Sequence, residues 1–159
     1  QICHDDLVLT EKRILKTLSF ELTVPTTYTF LKRFVFVLTR DVKLDPIVAH
    51  VSRYLAETSL SISECALTFL PSQIAASMIY AAITLSKDSH PEALKCLKRL
   101  AGYSTSSMET CAEVVIDYIR KSDARPSAEE IVRRKFSLPK FGKASVVARK
   151  QCLRKAPLL

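Results

Sequence analysis

The chain has 159 residues, a formal net charge of +8, two glycines and five cysteines. That length suits one domain, or one domain with an extra element, and it can bury a core without covalent staples. Two glycines exclude a Gly-rich phosphate loop and argue against a fold of tight hairpins, while the dominance of Leu, Ala, Ile, Lys, Arg and Glu favours helices.

Asp5 to Phe20 reads as an amphipathic helix. Leu7, Val8, Ile14, Leu15 and Leu18 fall on one side, and Glu11, Lys12, Arg13 and Lys16 fall opposite. Asp5 and Asp6 suit its positive end. Val24-Pro25 forces an extended connector. Thr26 then caps a helix over about 27–40, with Phe30, Leu31, Phe34, Val37 and Leu38 as its apolar face. Asp45-Pro46 is a cap followed by a first-position proline, and it opens a helix to about Ser59 with Ile47, Val48, Val51, Tyr54 and Leu55 inward. Residues 60–70 read as a short helical turn.

The stretch from Leu67 to Leu85 carries no charge. Pro71 starts its helix, and the residues from Gln73 onward are apolar nearly all round. Ile74 to Leu85 is too short for the roughly 20 residues a membrane span needs. It is therefore expected to be a central core helix. Its small residues, Ala75, Ala76, Ser77, Ala81 and Ala82, allow neighbouring helices to come close.

His90-Pro91 begins the next helix, and Gly102 ends it. Ser104 or Ser106 caps the following one, with Ser106 and Glu109 spaced as a capping box. Met108, Ala112, Val115 and Ile119 mark its inner side. Ser127 and Glu130 form a second box that opens a short helix to about Lys135. Beyond it the periodicity stops, and Pro139, Gly142 and Pro157 punctuate what reads as an irregular basic tail. From Arg133 to Lys155 there are nine basic residues and no acid, so the remainder of the chain holds 15 basic against 16 acidic residues. The body is almost neutral, which argues against a nucleic-acid face spread over the domain. The densest basic cluster is Arg133-Arg134-Lys135, which reads either as a solvated segment or as a nuclear-import signal or anionic contact.

Residues that carry chemistry are sparse. The histidines are His4, His50 and His90, and nothing in their spacing gathers them into a nucleophilic set. Cys3, Cys65, Cys96, Cys111 and Cys152 show no C-x-x-C pairing, which fits reduced thiols. Neither a metalloprotease helix nor a paired-cysteine metal motif is present. We expect no enzyme, no catalytic residue, no metal and no cofactor. Two binding surfaces remain: the first amphipathic helix and the basic tail. The opening on Gln1, mid-pattern and without a methionine, suggests a fragment of a longer chain.

Four blocks of residues make the chain resemble the C-terminal half of a mitotic cyclin of the A or B type. The first runs from Glu11 to Leu22, followed by Val24-Pro25-Thr26 and Phe30-Leu31. The second is Tyr54-Leu55-Ala56-Glu57 with Leu60. The third is Phe69-Leu70-Pro71-Ser72-Gln73-Ile74-Ala75-Ala76, similar to the family's LPS-x-IAA signature. The fourth is Gly102-Tyr103-Ser104, then Lys135-Phe136-Ser137 and Lys140-Phe141. The resemblance implies an all-α, cyclin-like five-helix domain around a buried central helix, with an extra N-terminal helix and an irregular basic C-terminal tail. It places the last helix of a truncated N-terminal repeat and a linker at residues 1–22, the C-terminal cyclin domain at 23–135, and the tail at 136–159.

The resemblance also implies a regulatory subunit of a cyclin-dependent protein kinase, present in nucleus and cytoplasm and controlling cell-cycle progression. In the family the first repeat grips the kinase. That repeat is missing here and the chain has no tryptophan, so no kinase-binding residue is carried over to any position. We expect the chain not to activate a kinase alone, and to need neither membrane nor nucleic acid. The alternative is a repeat of the TFIIB group of transcription factors, which shares the fold class and binds DNA.

Overall fold

The computed structural model describes residues 3–86, 91–121 and 128–154. In chain order its helices are α1 (His4–Thr17), α2 (Thr27–Val42), α3 (Pro46–Ser59), α4 (Ser63–Thr68), α5 (Pro71–Leu85), α6 (Pro91–Ala101), α7 (Thr105–Lys121), α8 (Ala128–Phe136) and α9 (Ala144–Arg154). A 3-10 turn at Pro139–Phe141 links the last two. No strand occurs among the described residues, so the all-α expectation holds.

Local chemistry explains most of the boundaries. The Thr26 side chain accepts a hydrogen bond from the Thr29 N–H and opens α2. Asp45 Oδ1 accepts from the Ile47 N–H at 2.8 Å, and Pro46 supplies the first helical position of α3. Gly102, at φ 75°, closes α6 by donating its N–H to the Lys98 carbonyl at 3.0 Å. Ser104 Oγ accepts from the Ser107 N–H at 3.1 Å, so Ser104 is the cap of α7. α1 ends at Thr17, short of the expected Phe20, because Ser19 and Phe20 both turn left-handed (φ 50° and 58°).

The capping box expected from Ser106 does not form. Ser106 lies within α7, and Glu109 instead accepts a 2.5 Å hydrogen bond from the Tyr80 hydroxyl of α5. Ser127 of the second expected box lies outside the described residues, as does His90. Glu130, the other half of that box, is held by Arg133 and Arg134 of its own helix.

α5 is the hub. Every residue from Ile74 to Ile83 is buried, and α5 packs against α2, α3, α6, α7 and α9. With so many alanines on its surface, five neighbours can approach a single helix closely. The helices α2, α3, α5, α6 and α7 form the expected five-helix body. The uncharged stretch does not belong to the core from its first residue, however: Leu67 and Leu70 precede the helix and are largely exposed.

The expected irregular tail is corrected. Residues 144–154 are helical, and α9 packs against α3, α5, α7 and α8. Ala144, Ala148 and Cys152 are fully buried, and Phe136 is 1% exposed. Spaced four apart, these three small residues lie one above another on one helix face. Among so many cations, so narrow an apolar stripe gives little periodic signal, yet it is enough for a helix that approaches its neighbours closely.

Candidate interaction surfaces

The second and third sequence blocks each meet the fourth in space. Ser72 Oγ and Tyr103 Oη are 2.8 Å apart, joining the start of α5 to the turn before α7. Beside them, Gln73 Nε2 donates to Ser107 Oγ at 2.9 Å. The Lys135 ammonium donates to both carboxylate oxygens of Glu57, at 2.6 and 2.9 Å, and ties α8 to α3. Next to that pair, the Phe136 ring lies 5.9 Å from Tyr54 and 4.9 Å from Phe141, centroid to centroid. These residue types therefore serve to fix helix against helix, and none of these contacts forms a reacting centre.

The basic segment is anchored at three places. Ser145 Oγ donates to the Arg133 carbonyl at 2.9 Å, stitching the first turn of α9 to α8. Arg120 of α7 donates through Nε to the Cys152 carbonyl at 3.1 Å, supplying a cation to the negative end of α9. The same guanidinium pairs with Asp117 at 3.0 Å and Glu113 at 3.6 Å. Gly142, at φ 61°, lets the chain turn between the 3-10 segment and α9. A Cβ there would stand 2.9 Å from Ile47 Cδ1. Arg133, Arg134 and Lys135, the densest basic cluster of the sequence, are all paired with carboxylates. Arg134 first, then Arg133, holds the Glu130 carboxyl below its usual pKa.

α1 is the opposite case. It buries no residue. Leu7 is 61%, Ile14 54% and Leu18 47% exposed, and the connector that follows exposes Phe20, Leu22 and Val24. Of its apolar face, legible in the sequence, Leu7, Ile14 and Leu18 are open and Val8 and Leu15 are half-buried.

The titratable residues do not assemble into a catalytic group. His4 is exposed at the start of α1, far in sequence and in element from His50. His50, in α3, packs edge-on to Phe141 at 6.0 Å. Burial and then the neighbouring Arg53 charge push its pKa below the ordinary value. Cys65, Cys96, Cys111 and Cys152 are buried and Cys3 is exposed, all as free thiols. Burial raises Cys65 to about 12 and Cys111 and Cys152 to about 11, which leaves them as inert, apolar-like core groups at neutral pH. Among the described residues no three His, Cys, Asp or Glu side chains come together as a metal site, and no helix is long and apolar enough to cross a membrane.

The model of the family described as "Cyclin, C-terminal domain" matches residues 25–150, from the start of α2 through most of α9. The chain belongs to the cyclin family. Among curated proteins it is 35% identical to Cyclin-B1-1 of Arabidopsis thaliana over 137 residues, which is 84% of this chain and 31% of that protein. It is 34% identical to Cyclin-A3-3 of the same plant over 143 residues, 86% of this chain and 41% of that protein. It is 31% identical to the G2/mitotic-specific cyclin S13-7 of Glycine max over 145 residues, 91% and 53% respectively. The chain therefore spans between about a third and a half of these cyclins, whose A-type and B-type names agree with the mitotic resemblance. The cyclin match also runs through the 3-10 turn and into α9, in keeping with the burial of Phe136, Ala144 and Ala148 on the body. What sequence reasoning missed in this cyclin is the docking of α9. The small-residue spacing Ala144, Ala148, Cys152 is the signal that marks it.

Proposed function

We propose that this cyclin acts as the regulatory subunit of a cyclin-dependent protein kinase in control of cell-cycle progression, and that the chain is the C-terminal supporting lobe of that subunit. The match of the cyclin C-terminal domain to nearly all of the packed body carries the reading. The mitotic names of its relatives favour a role in division. The chain does no chemistry of its own in this account. A cyclin works by holding the kinase's mobile helix and activation loop so that the ATP-binding lysine and its glutamate partner pair correctly. The grip on the kinase belongs mainly to a preceding repeat, and we place residues 1–22 as that repeat's last helix and linker. The C-terminal domain starts near residue 23, and we extend it through the docked α9 to residue 154. The complex would operate in the nucleus and cytoplasm.

The test compares two proteins: this chain alone, and this chain joined to the N-terminal half of the Arabidopsis Cyclin-B1-1. Each is mixed with a cyclin-dependent kinase, and binding and histone phosphorylation are measured. The joined protein is expected to bind and activate, and the isolated chain is expected to do neither. A joined, folded protein that fails to bind would remove the kinase reading. Strong activation by the isolated chain would overturn the supporting-lobe assignment.

A further inference from the structure

α9 turns its small-residue face inward, and neither the core nor the family blocks account for what its opposite face carries. Val147, Lys150 and Arg154 follow one another at three- and four-residue spacing and form one exposed ridge along the outside of the helix. Lys143 stands exposed where the ridge begins. Beside the ridge a hollow of about 170 Å³ opens between α3, α5 and α9, and Val147 is part of its lining. Val48, Val51, Leu85 and Ala148 are its buried floor. Asp45 and Gln151, both half-buried, are the polar groups of its rim, and Asp45 Oδ1 already accepts the Ile47 N–H at 2.8 Å. Lys143, Lys150 and Arg154 form no ion pair among the described residues, whereas Arg133, Arg134 and Lys135 of α8 all do.

A solvated helix face accounts for the cations but not for an apolar recess open beside them. A hollow of this size takes one aromatic ring or one branched aliphatic side chain. Seating a single apolar anchor in a pocket under a polar rim is how a short segment of a partner gains affinity. Charge complementarity selects carboxylates for the ridge. The geometry points to a docking site on α9 for an acidic segment of a partner protein, with one aromatic or aliphatic side chain in the hollow and carboxylates on Lys150 and Arg154. Asp45 and Gln151 at the rim would then meet the segment's backbone N–H and C=O groups. A nucleic acid fits less well, because phosphates make no use of an apolar floor and would face the Asp45 carboxylate. A bilayer surface is too flat to fill a recess between three helices. The site lies wholly in α3, α5 and α9 and is independent of the kinase reading.

The experiment selects a random-peptide display library on the 159-residue chain, with a Lys150→Glu/Arg154→Glu variant as counter-target. Both substituted residues are exposed, and circular dichroism verifies that every variant folds. Enriched sequences are expected to combine several Asp or Glu with a Phe, Tyr, Leu or Ile. A fluorescein-labelled peptide from that set should lose on the order of tenfold in affinity on charge reversal, since like charges then face each other. It should also weaken at high salt. Val147→Trp, made at a residue already 37% exposed, crowds the mouth of the hollow and should abolish binding. Lys32→Glu/Arg33→Glu, which makes the same change of charge on α2, should leave the affinity unaltered. Enrichment without acidic bias, or binding that survives the charge reversal or a folded Val147→Trp variant, overturns the proposal. Loss of binding in the α2 variant does so too, because it places the peptide elsewhere. Displacement of the peptide by single-stranded DNA or by phosphatidylserine vesicles would assign the ridge to those anions and overturn it. Self-association of the chain that is abolished by Val147→Trp would assign the hollow to a second copy instead.

Discussion

α1 and α9 stand at opposite ends of the described chain and reverse what their sequences promise. α1 has the broad apolar side expected of a helix that packs, with Leu7, Ile14 and Leu18 in line, yet it buries no residue. α9 looks polar and basic, yet Ala144, Ala148 and Cys152 are completely buried on the body. The difference is the partner surface. α9 meets a groove between α3, α5 and α7 shaped for small side chains, and it is delivered there by a chain already pinned at Phe136. α1 is followed by two left-handed residues and an extended connector, and it has no extensive packing on another helix. Amphipathicity states what a helix could bury, and connection with complementary shape decides whether it does.

The sharpest way to break this comparison is Phe136→Ala. The ring is 1% exposed, packed at a tilt against both Tyr54 and Phe141, and it holds the turn into α9. Truncating a buried phenylalanine costs about 3–5 kcal/mol, and the loss of the Phe141 contact should loosen α9 as well. Urea denaturation followed by circular dichroism is expected to show that loss, with early protection loss in residues 144–154 by hydrogen exchange. A cost below about 1 kcal/mol would mean that the segment is not held by this ring.

Gly142→Ala comes next. The position needs a left-handed backbone, and the added methyl would meet Ile47 Cδ1. Because the atom it meets is the flexible end of a side chain, the steric part is modest and the backbone part dominates. About 1–2 kcal/mol of destabilisation is expected in the same urea experiment. Ile47→Val, which shortens the opposing side chain, should recover part of it in the double variant. Purely backbone strain would leave the two substitutions additive.

The contrast between these ends also shows what could be read in advance. Caps at Thr26, Asp45 and Gly102 were legible because each is a local interaction within a few residues. The central helix was legible because nearly all of its faces are apolar. Ser106 and Glu109 misled because their spacing fits a local box, while the Tyr80 hydroxyl, 29 residues away in sequence, wins the carboxylate. Lys135 with Glu57 and Arg120 with Cys152 pair across 78 and 32 residues, beyond the reach of any periodicity.

His50 offers a finer probe of α9's anchorage, since it faces Phe141 at the turn. Its Nδ1 is buried without a hydrogen-bond partner among the described residues. Its folded pKa lies below the ordinary 6.5, through burial first and Arg53 second. The unfolded chain therefore takes up a proton more readily than the folded one. Stability should be full above about pH 6.5 and fall as the pH drops through that value toward the folded pKa. Denaturation midpoints measured between about pH 7.5 and pH 5 should show a steeper decline for wild type than for His50→Gln. Equal slopes would mean that the imidazole is solvated and that the turn is open.

The smallest expected effect belongs to α1 and is the strictest test of the contrast. Leu7→Ser/Ile14→Ser removes two large apolar side chains, a change that inside a core would cost several kcal/mol. Both are more than half exposed, at 61% and 54%, and they contact nothing whose loss would leave a cavity. The global unfolding free energy of the isolated chain should therefore move by no more than about 0.5 kcal/mol. What should change is solution behaviour, because an open apolar stripe favours association and its removal should lower the apparent mass at high protein concentration. If the substitution instead costs more than about 2 kcal/mol in the isolated chain, α1 is packed on the body in solution. The same substitution in the chain joined to a preceding repeat then distinguishes the two ends fully. A cost that appears only in the joined protein shows that α1's apolar face belongs to that repeat, as α9's small-residue face belongs to this domain.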